Sequence, residues 1–329
     1  MEYIIVTDFI NNDGKRDVSE ELQKVIDNNP NRTIFFPDGE YYLSKPIFMP
    51  ADPKKSVSLK LSNYAKIIAM ENWNGDGALV RLGGKDFAND IRTAGSNYFF
   101  EGGIIDGAGV ADGISIDGGR ETVIRNVSIK HTRIGIHVKK GANNGSADAD
   151  IFGVNIVGNK KRDSIGLLVE GWDNTFTNMR IADVFVGVWI KSSGNMLRNI
   201  HPLYTLDYED YENSCGFIND ELKPNNWFDF CYSDQFAVGF LLGDHAVLQN
   251  CFCFWYSSRE KEHICIKSIC KFNSIVNGLD VGFCGTEAEN IILKTCEEKG
   301  PGVIRDLIIN DKSMISDDTY KKYLQGIMI

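Results

Sequence analysis

Acidic side chains able to work on a glycosidic bond stand at Glu170, Asp210, Glu212, Asp220 and Glu221. Such a bond is cleaved or transferred by two carboxyl groups. Close together, one acts as a nucleophile; about 6.5–9.5 Å apart, they leave room for an attacking water. Among them lie Trp189, Tyr208 and Tyr211, with rings that can pack on sugar faces, and His137, Lys191, Arg198 and His201, which can bond hydroxyls or acidic groups. Glu170, Asp220, Glu221 and Glu212, with Asp210 behind them, are the candidate catalytic groups. The others are candidate substrate contacts. This chemistry calls for no cofactor and no metal, and none is expected.

Residues so far apart in sequence need a scaffold that sets them side by side. The stretch Gly166–Ile200 supplies one, because its second half repeats its first. Gly166 falls on Gly187, Asn174 on Asn195, Phe176 on Leu197 and Asn178 on Asn199, each about 21 residues apart. So short a repeat has room for a few strands and tight turns but none for a helix. It buries its apolar side chains only by stacking on its own copies. The pattern predicts an all-β fold, a single-stranded right-handed parallel β-helix. An apolar-x-Asn step followed about nine residues later by glycine recurs at Ile124/Asn126 then Gly135, and at Phe176/Asn178 then Gly187. Before Gly239 the asparagine slot holds Phe230, and weaker echoes appear at Leu248/Asn250 and Ile275/Asn277. Asparagine suits a left-handed corner with amides bonding from rung to rung. Glycine suits a sharp bend entering a strand.

Side chains alternate along a strand, so each glycine-anchored strand can be read face by face. The first and third residues after glycine are apolar (Ile114/Ile116, Ile136/Val138, Leu167/Val169, Val188/Ile190, Phe240/Leu242) and are expected inside. The second column, Ser115, His137, Leu168, Trp189, Ile218 and Leu241, then faces out with the fourth, Asp117, Lys139, Glu170, Lys191 and Asp220. This face has two meanings. As structure, alternating charges on strands about 4.8 Å apart form a ladder, and the apolar column meets a loop or another subunit. As chemistry, a Trp, a His and spaced carboxylates line a groove, with Glu170 and Asp220 on the order of 9.6 Å apart between backbones. Two rungs are also overlong: the excess before Gly216 holds Asp207-Tyr208-Glu209-Asp210-Tyr211-Glu212, and that before Gly166 holds Gly141 to Asp148. Long loops on a regular scaffold carry specificity, although a solvated acidic loop has the same composition.

A solenoid grows by adding rungs, so residues 1–329 are expected to form one domain. Residues 1–50 would be the N-terminal cap and first strands, 98–290 the regular rungs and 300–329 a C-terminal cap. Val18, Leu22, Val25 and Ile26 make a helical apolar stripe after Asp17 that ends at Asn28-Asn29-Pro30, and predict a helix covering the open end of the coil. Ser316 to Leu324 predicts a short C-terminal helix. Residues 57–100 read as irregular; their Gly pairs lack a strand-to-helix context, which argues against nucleotide binding. A net charge of −10 disfavours nucleic acid, and no apolar run approaches a membrane span. The start lacks the basic and apolar regions of a secretion signal, so a cytoplasmic location is expected. The eight cysteines cluster between Cys215 and Cys296 in apolar strands, without a C-x-x-C pair, and are expected to be buried free thiols.

The segment TDFINNDGKRDVSEELQKVIDNN followed by IFFPDGEYYLSKPI resembles the N-terminal signature of the pectate-lyase-like superfamily of right-handed β-helix proteins. Asp8-Phe9, Asp13-Gly14, Asp17, Leu22-Gln23 and Phe36-Pro37-Asp38-Gly39-Glu40-Tyr41 match it, while Ile10-Asn11 replace its usual Gly-Ala. The resemblance implies the fold, and it spans hydrolases, lyases, transferases and viral spikes. Some relatives that transfer fructosyl units are trimers with active sites between subunits, which makes a homotrimer a possible assembly here. Three functions stay open. A carbohydrate-active enzyme would cleave or transfer glycosidic bonds with paired carboxylates. A polysaccharide lyase would use Lys139, Lys191, Arg198 and His201 on a uronate, with calcium held by Asp residues. A glycan-binding or spike-like protein would need no turnover.

Overall fold

In the computed structural model, described over residues 3–50, 52, 55–85, 98–140, 146–205, 211–220, 225–243, 246–256, 264–268, 275–284, 294–295 and 303–309, every pairing between strands is parallel. Alternation of apolar residues decides which side of each strand is buried. Ile34, Leu59, Phe100, Ile124, Ile151, Phe176, Leu197, Phe228 and Leu248 pair in direct succession and are all buried. On the opposite wall Ile47, Val80, Ile114, Ile136, Leu167, Val188, Phe217, Phe240 and Ile266 form a second buried column. Stacked like on like, the two columns make one continuous core.

The first wall is a long sheet bent at a corner, and the second is a ten-stranded sheet running from Ile47–Pro50 to Lys294–Thr295. The corner is built as the repeat implies. Asn126, Asn178, Asn199 and Asn250 have φ of 56°, 55°, 52° and 52°, and Phe230, in the same slot, has φ of 51°. Asn199 donates to Asn178 at 2.7 Å across the rungs. A second, buried amide ladder runs from Asn174 through Asn195 to Asn226. Asn195 Oδ1 accepts both the Asn174 backbone N–H (3.2 Å) and side-chain amide (2.9 Å), and Asn226 Oδ1 does the same for Asn195 (2.9 and 3.2 Å).

The recurring glycines of the second sheet answer to a different constraint from the bend expected of them. A Cβ at Gly135 or Gly166 would lie 2.6 Å from the carbonyl oxygen of the glycine on the next rung, and one at Gly239 2.7 Å from the Cys265 carbonyl. The rungs approach too closely there for any side chain. The early rungs lack this glycine. Residues 57–85 are not irregular; Ser58–Leu61, Ala65–Ala69 and Ala78–Lys85 are full members of the coil, which begins at Ile4–Ile5. Pro46 and Leu79 stand in these early rungs where later ones carry glycine, and hide the repeat. At the other end Val303–Ile309 pairs with Ile275–Cys284, so sheet continues past residue 290. The helix expected over Ser316 to Leu324 lies outside the described residues.

The helix Ser19–Asp27 buries Leu22, Val25 and Ile26 in the core, with Val18 just ahead of it. Asp17 accepts the Ser19 backbone N–H (2.9 Å), both the Ser19 and Ser44 hydroxyls (2.5 Å each) and the Ser44 N–H (3.2 Å). Burial opposes the charge on Asp17, but these bonds outweigh it and hold its carboxyl below the usual value. Cys215, Cys231, Cys251, Cys253 and Cys265 are buried free thiols, as their apolar settings imply; Cys270, Cys284 and Cys296 have no described side chain. Burial raises the Cys215 thiol to about 12.

The amide ladder makes a direct prediction. Asn195→Ala strips the acceptor from two buried donors on Asn174, each worth about 1–3 kcal/mol when orphaned. Denaturant unfolding of this variant is expected to show at least about 2 kcal/mol of lost stability, whereas Asn178→Ala, at the exposed corner, should cost much less.

Candidate functional site

Strand pairing on the second sheet places the outward column in one line: Phe48, Arg81, Ser115, His137, Leu168, Trp189, Ile218, Leu241 and Lys267 lie on successive strands. Alternation along each strand keeps Lys139, Glu170, Lys191 and Asp220 beside this line rather than in the lumen. The structure therefore brings His137, Glu170, Trp189, Lys191 and Asp220 together, as their spacing implies. His137 Nε2 lies 2.8 Å from Glu170 Oε2, and Lys191 Nζ 3.9 Å from Glu170 Oε1. The Lys191 ammonium also sits over the Trp189 ring, 4.2 Å from its centroid, and the indole N–H donates to Asp220 Oδ2 at 3.2 Å. Each carboxylate of the pair is thus already engaged by a neighbouring rung.

The face is not uniformly open. Ser115 and Leu168 are buried although they point outward, and the Asp117 side chain is fully covered. Arg81 bonds Asp117 through Nη2 and through Nε (2.7 Å), while Ser115 Oγ (2.5 Å) and Lys139 Nζ (3.2 Å) meet its other oxygen. A charged, sealed cluster closes the strip on the N-terminal side of His137. Arg81 and Phe48 escaped the sequence reading because the glycine that marks the column is missing from their rungs.

Desolvation depresses the His137 pKa, the Glu170 contact only partly offsets this, and Lys139 adds to the depression. The imidazole is therefore neutral at pH 7. A carboxylate can only accept, so the Nε2–H is the donor and Nδ1 is left as a lone pair. That arrangement, an acid orienting an imidazole, can take up a proton from a bound ligand.

Other candidates lie elsewhere. Arg198 and His201 belong to the strand Met196–Leu203 of the first sheet, on a different wall from Glu170. Arg198 pairs with Asp229 at 3.4 Å; His201 stacks on Tyr232 (4.0 Å between centroids) and lies 3.3 Å from Asp234. Pro202 beside His201 points into the core from within the strand. Tyr211 is 3% exposed and packs edge-on against Tyr204, so it is a core residue rather than a sugar contact. Tyr208, Asp210 and Glu221 lie outside the described residues, as does the side chain of Glu212. Of the other long rung, Gly141 to Gly145 lie outside the described residues, while Ser146–Ala147 pairs with Gly119–Arg120 and Arg120 Nε meets Asp148 at 2.6 Å.

Two measurements check this geometry. The His137 imidazole, followed by NMR, should titrate below its ordinary 6.5, and Glu170→Gln should lower the midpoint further by removing the offsetting charge. Because the unfolded chain then binds the proton more readily, His137 costs stability as pH falls from about 6.5 toward the folded midpoint. Asp117→Ala leaves Arg81 and Lys139 without their shared counter-charge and is expected to lose about 3 kcal/mol in denaturant unfolding.

No protein-family model matches the sequence, and no curated protein matches it. Among solved structures, the A-module of the Azotobacter vinelandii mannuronan C-5 epimerase AlgE4 is similar at 15% identity and a TM-score of 0.60, over 94% of this chain and 95% of that one. The tailspike of E. coli bacteriophage HK620, in complex with a pentasaccharide, gives 11% and 0.68 over 94% and 66%. The N-terminal fragment of bacteriophage Phi29 gene product 12 gives 15% and 0.63 over 93% and 57%. At these identities the likeness is one of architecture. The chain folds as a right-handed parallel β-helix, with a helix at its N-terminal end.

Proposed function

We propose that the outer face of the second sheet binds a poly- or oligosaccharide laid across successive strands. The observation that carries this is the half-exposed network His137–Glu170–Lys191–Trp189–Asp220, a row of hydrogen-bonding groups beside an indole at regular strand spacing. Such a mixture of flat apolar surface and fixed polar groups is what a sugar ring requires. Structural relatives support it by name: one is an epimerase of mannuronan, another a tailspike holding a pentasaccharide. Charge admits a wide range of ligands. Although the chain carries a net −10, this line of strands presents Arg81, Lys139, Lys191 and Lys267 against Asp117, Glu170 and Asp220. The acidity of the whole chain, an argument against a polyuronate, is not carried by this face.

A catalytic use of the same face is favoured by the separation of Glu170 and Asp220, on the order of 9.6 Å between backbones two strands apart, near the spacing of an inverting pair. Binding ranks first because Lys191 and Trp189 already occupy those carboxylates. Incubation with a panel of neutral and uronate polysaccharides, with binding and products measured together, tests both. Trp189→Ala is expected to weaken binding at least tenfold. New reducing ends that vanish in Glu170→Gln and Asp220→Asn establish glycosidic cleavage, and unsaturated uronate products that vanish in His137→Ala establish lyase chemistry. Absence of binding to every saccharide in the panel sinks the proposal.

A further inference from the structure

At the N-terminal end of the column the described residues line an open hollow of about 400 Å³, bounded by Gln23 of the helix, Pro46 and Phe48, Asn74 and Asp76, and Arg81. That volume lies within the range of about 300–1,000 Å³ usual for small-molecule sites. Its walls are set by bonds made elsewhere. The Gln23 amide donates to the Phe48 carbonyl (3.0 Å) and accepts the Phe48 N–H (2.8 Å), which fixes helix to strand. The Arg81 guanidinium lies over the Phe48 ring, 5.0 Å from its centroid, and is held from behind by buried Asp117. The turn at Gly75 is pressed so closely on Pro46 that a Cβ there would sit 2.6 Å from its ring.

The cations around the cavity already hold partners: Lys45 pairs with Glu20 at 3.0 Å and Arg81 with Asp117. Asp76 adds a carboxylate at the rim, and Arg133 nearby is held by Asp112. An anionic sugar entering would meet no cation without a counter-charge. What remains is an apolar floor of Pro46 and Phe48 under a rim of amide, guanidinium and carboxylate groups. A neutral ring with hydroxyls at its edge and C–H groups on its face fits both parts. We propose that this cavity is a second saccharide site, for a neutral mono- or disaccharide, separate from the strip at His137–Asp220. Phe48 and His137 are three strands apart, on the order of 14 Å, with the sealed Asp117 cluster between them.

Calorimetric titration of the full chain with maltose, cellobiose and digalacturonate tests this, with far-ultraviolet dichroism confirming that each variant is folded. Saturable binding of a neutral disaccharide is expected, weakened at least tenfold by Asn74→Trp, which fills the cavity, and by Phe48→Ala, and unchanged by Trp189→Ala. No saturable binding of either neutral disaccharide, binding indifferent to Asn74→Trp, or preference for digalacturonate each overturns it. The outcome is independent of the strip, where failure would show with polysaccharides and in the Trp189 and His137 variants.

Discussion

Successive rungs of this coil touch backbone to backbone along the glycine column of the second sheet. Gly135, Gly166, Gly187, Gly216 and Gly239 each face the carbonyl oxygen of the rung beyond at a distance that admits no Cβ. That contact fixes the register of the six strands that carry the glycine, because a slip by one residue would drive a side chain into the neighbouring carbonyl. Once register is fixed, like stacks on like: apolar on apolar inside, amide on amide at the corners, charge on charge outside. The core columns, the Asn174–Asn195–Asn226 ladder and the His137–Glu170–Lys191 network are three expressions of one alignment.

Stacking also explains why the outer face is made of alternating charges. Identical charges on adjacent strands would repel at about 4.8 Å, so Asp117, Lys139, Glu170, Lys191 and Asp220 alternate in sign along the axis. This order supports the coil before it serves any ligand. A group that already holds a partner is pre-oriented, and a ligand that displaces Lys191 from the Trp189 ring gains an indole face fixed in place by Asp220. The Asp117 cluster belongs to the same pattern carried into burial. There removal of a cation is costly, because the Asp117 carboxylate itself has no water to turn to.

The inside and outside of each strand were legible in the sequence because a period of two is written directly into residue order. Five rungs of paired apolar residues pointed inward as read, and Glu170, Trp189 and Asp220 pointed out. The left-handed corner was equally legible, even where Phe230 replaced asparagine, since a stacked repeat forces the same backbone on whatever residue falls in the slot. What sequence determined, then, was everything local to a rung or inherited from the rung before it. Which wall a residue occupies depends on how many corners the chain has turned, and short loops of variable length do not record that. Hence Arg198 and His201 fell on the first sheet rather than beside Glu170, and Tyr211, in an acidic segment, turned inward to Tyr204. Only the tertiary structure could seal Asp117, because covering a side chain takes groups from three strands at once. Only it could join Arg81 to Phe48 and the N-terminal helix in one cavity, because Pro46 and Leu79 stand where the next six rungs, from Gly113 to Gly239, carry glycine.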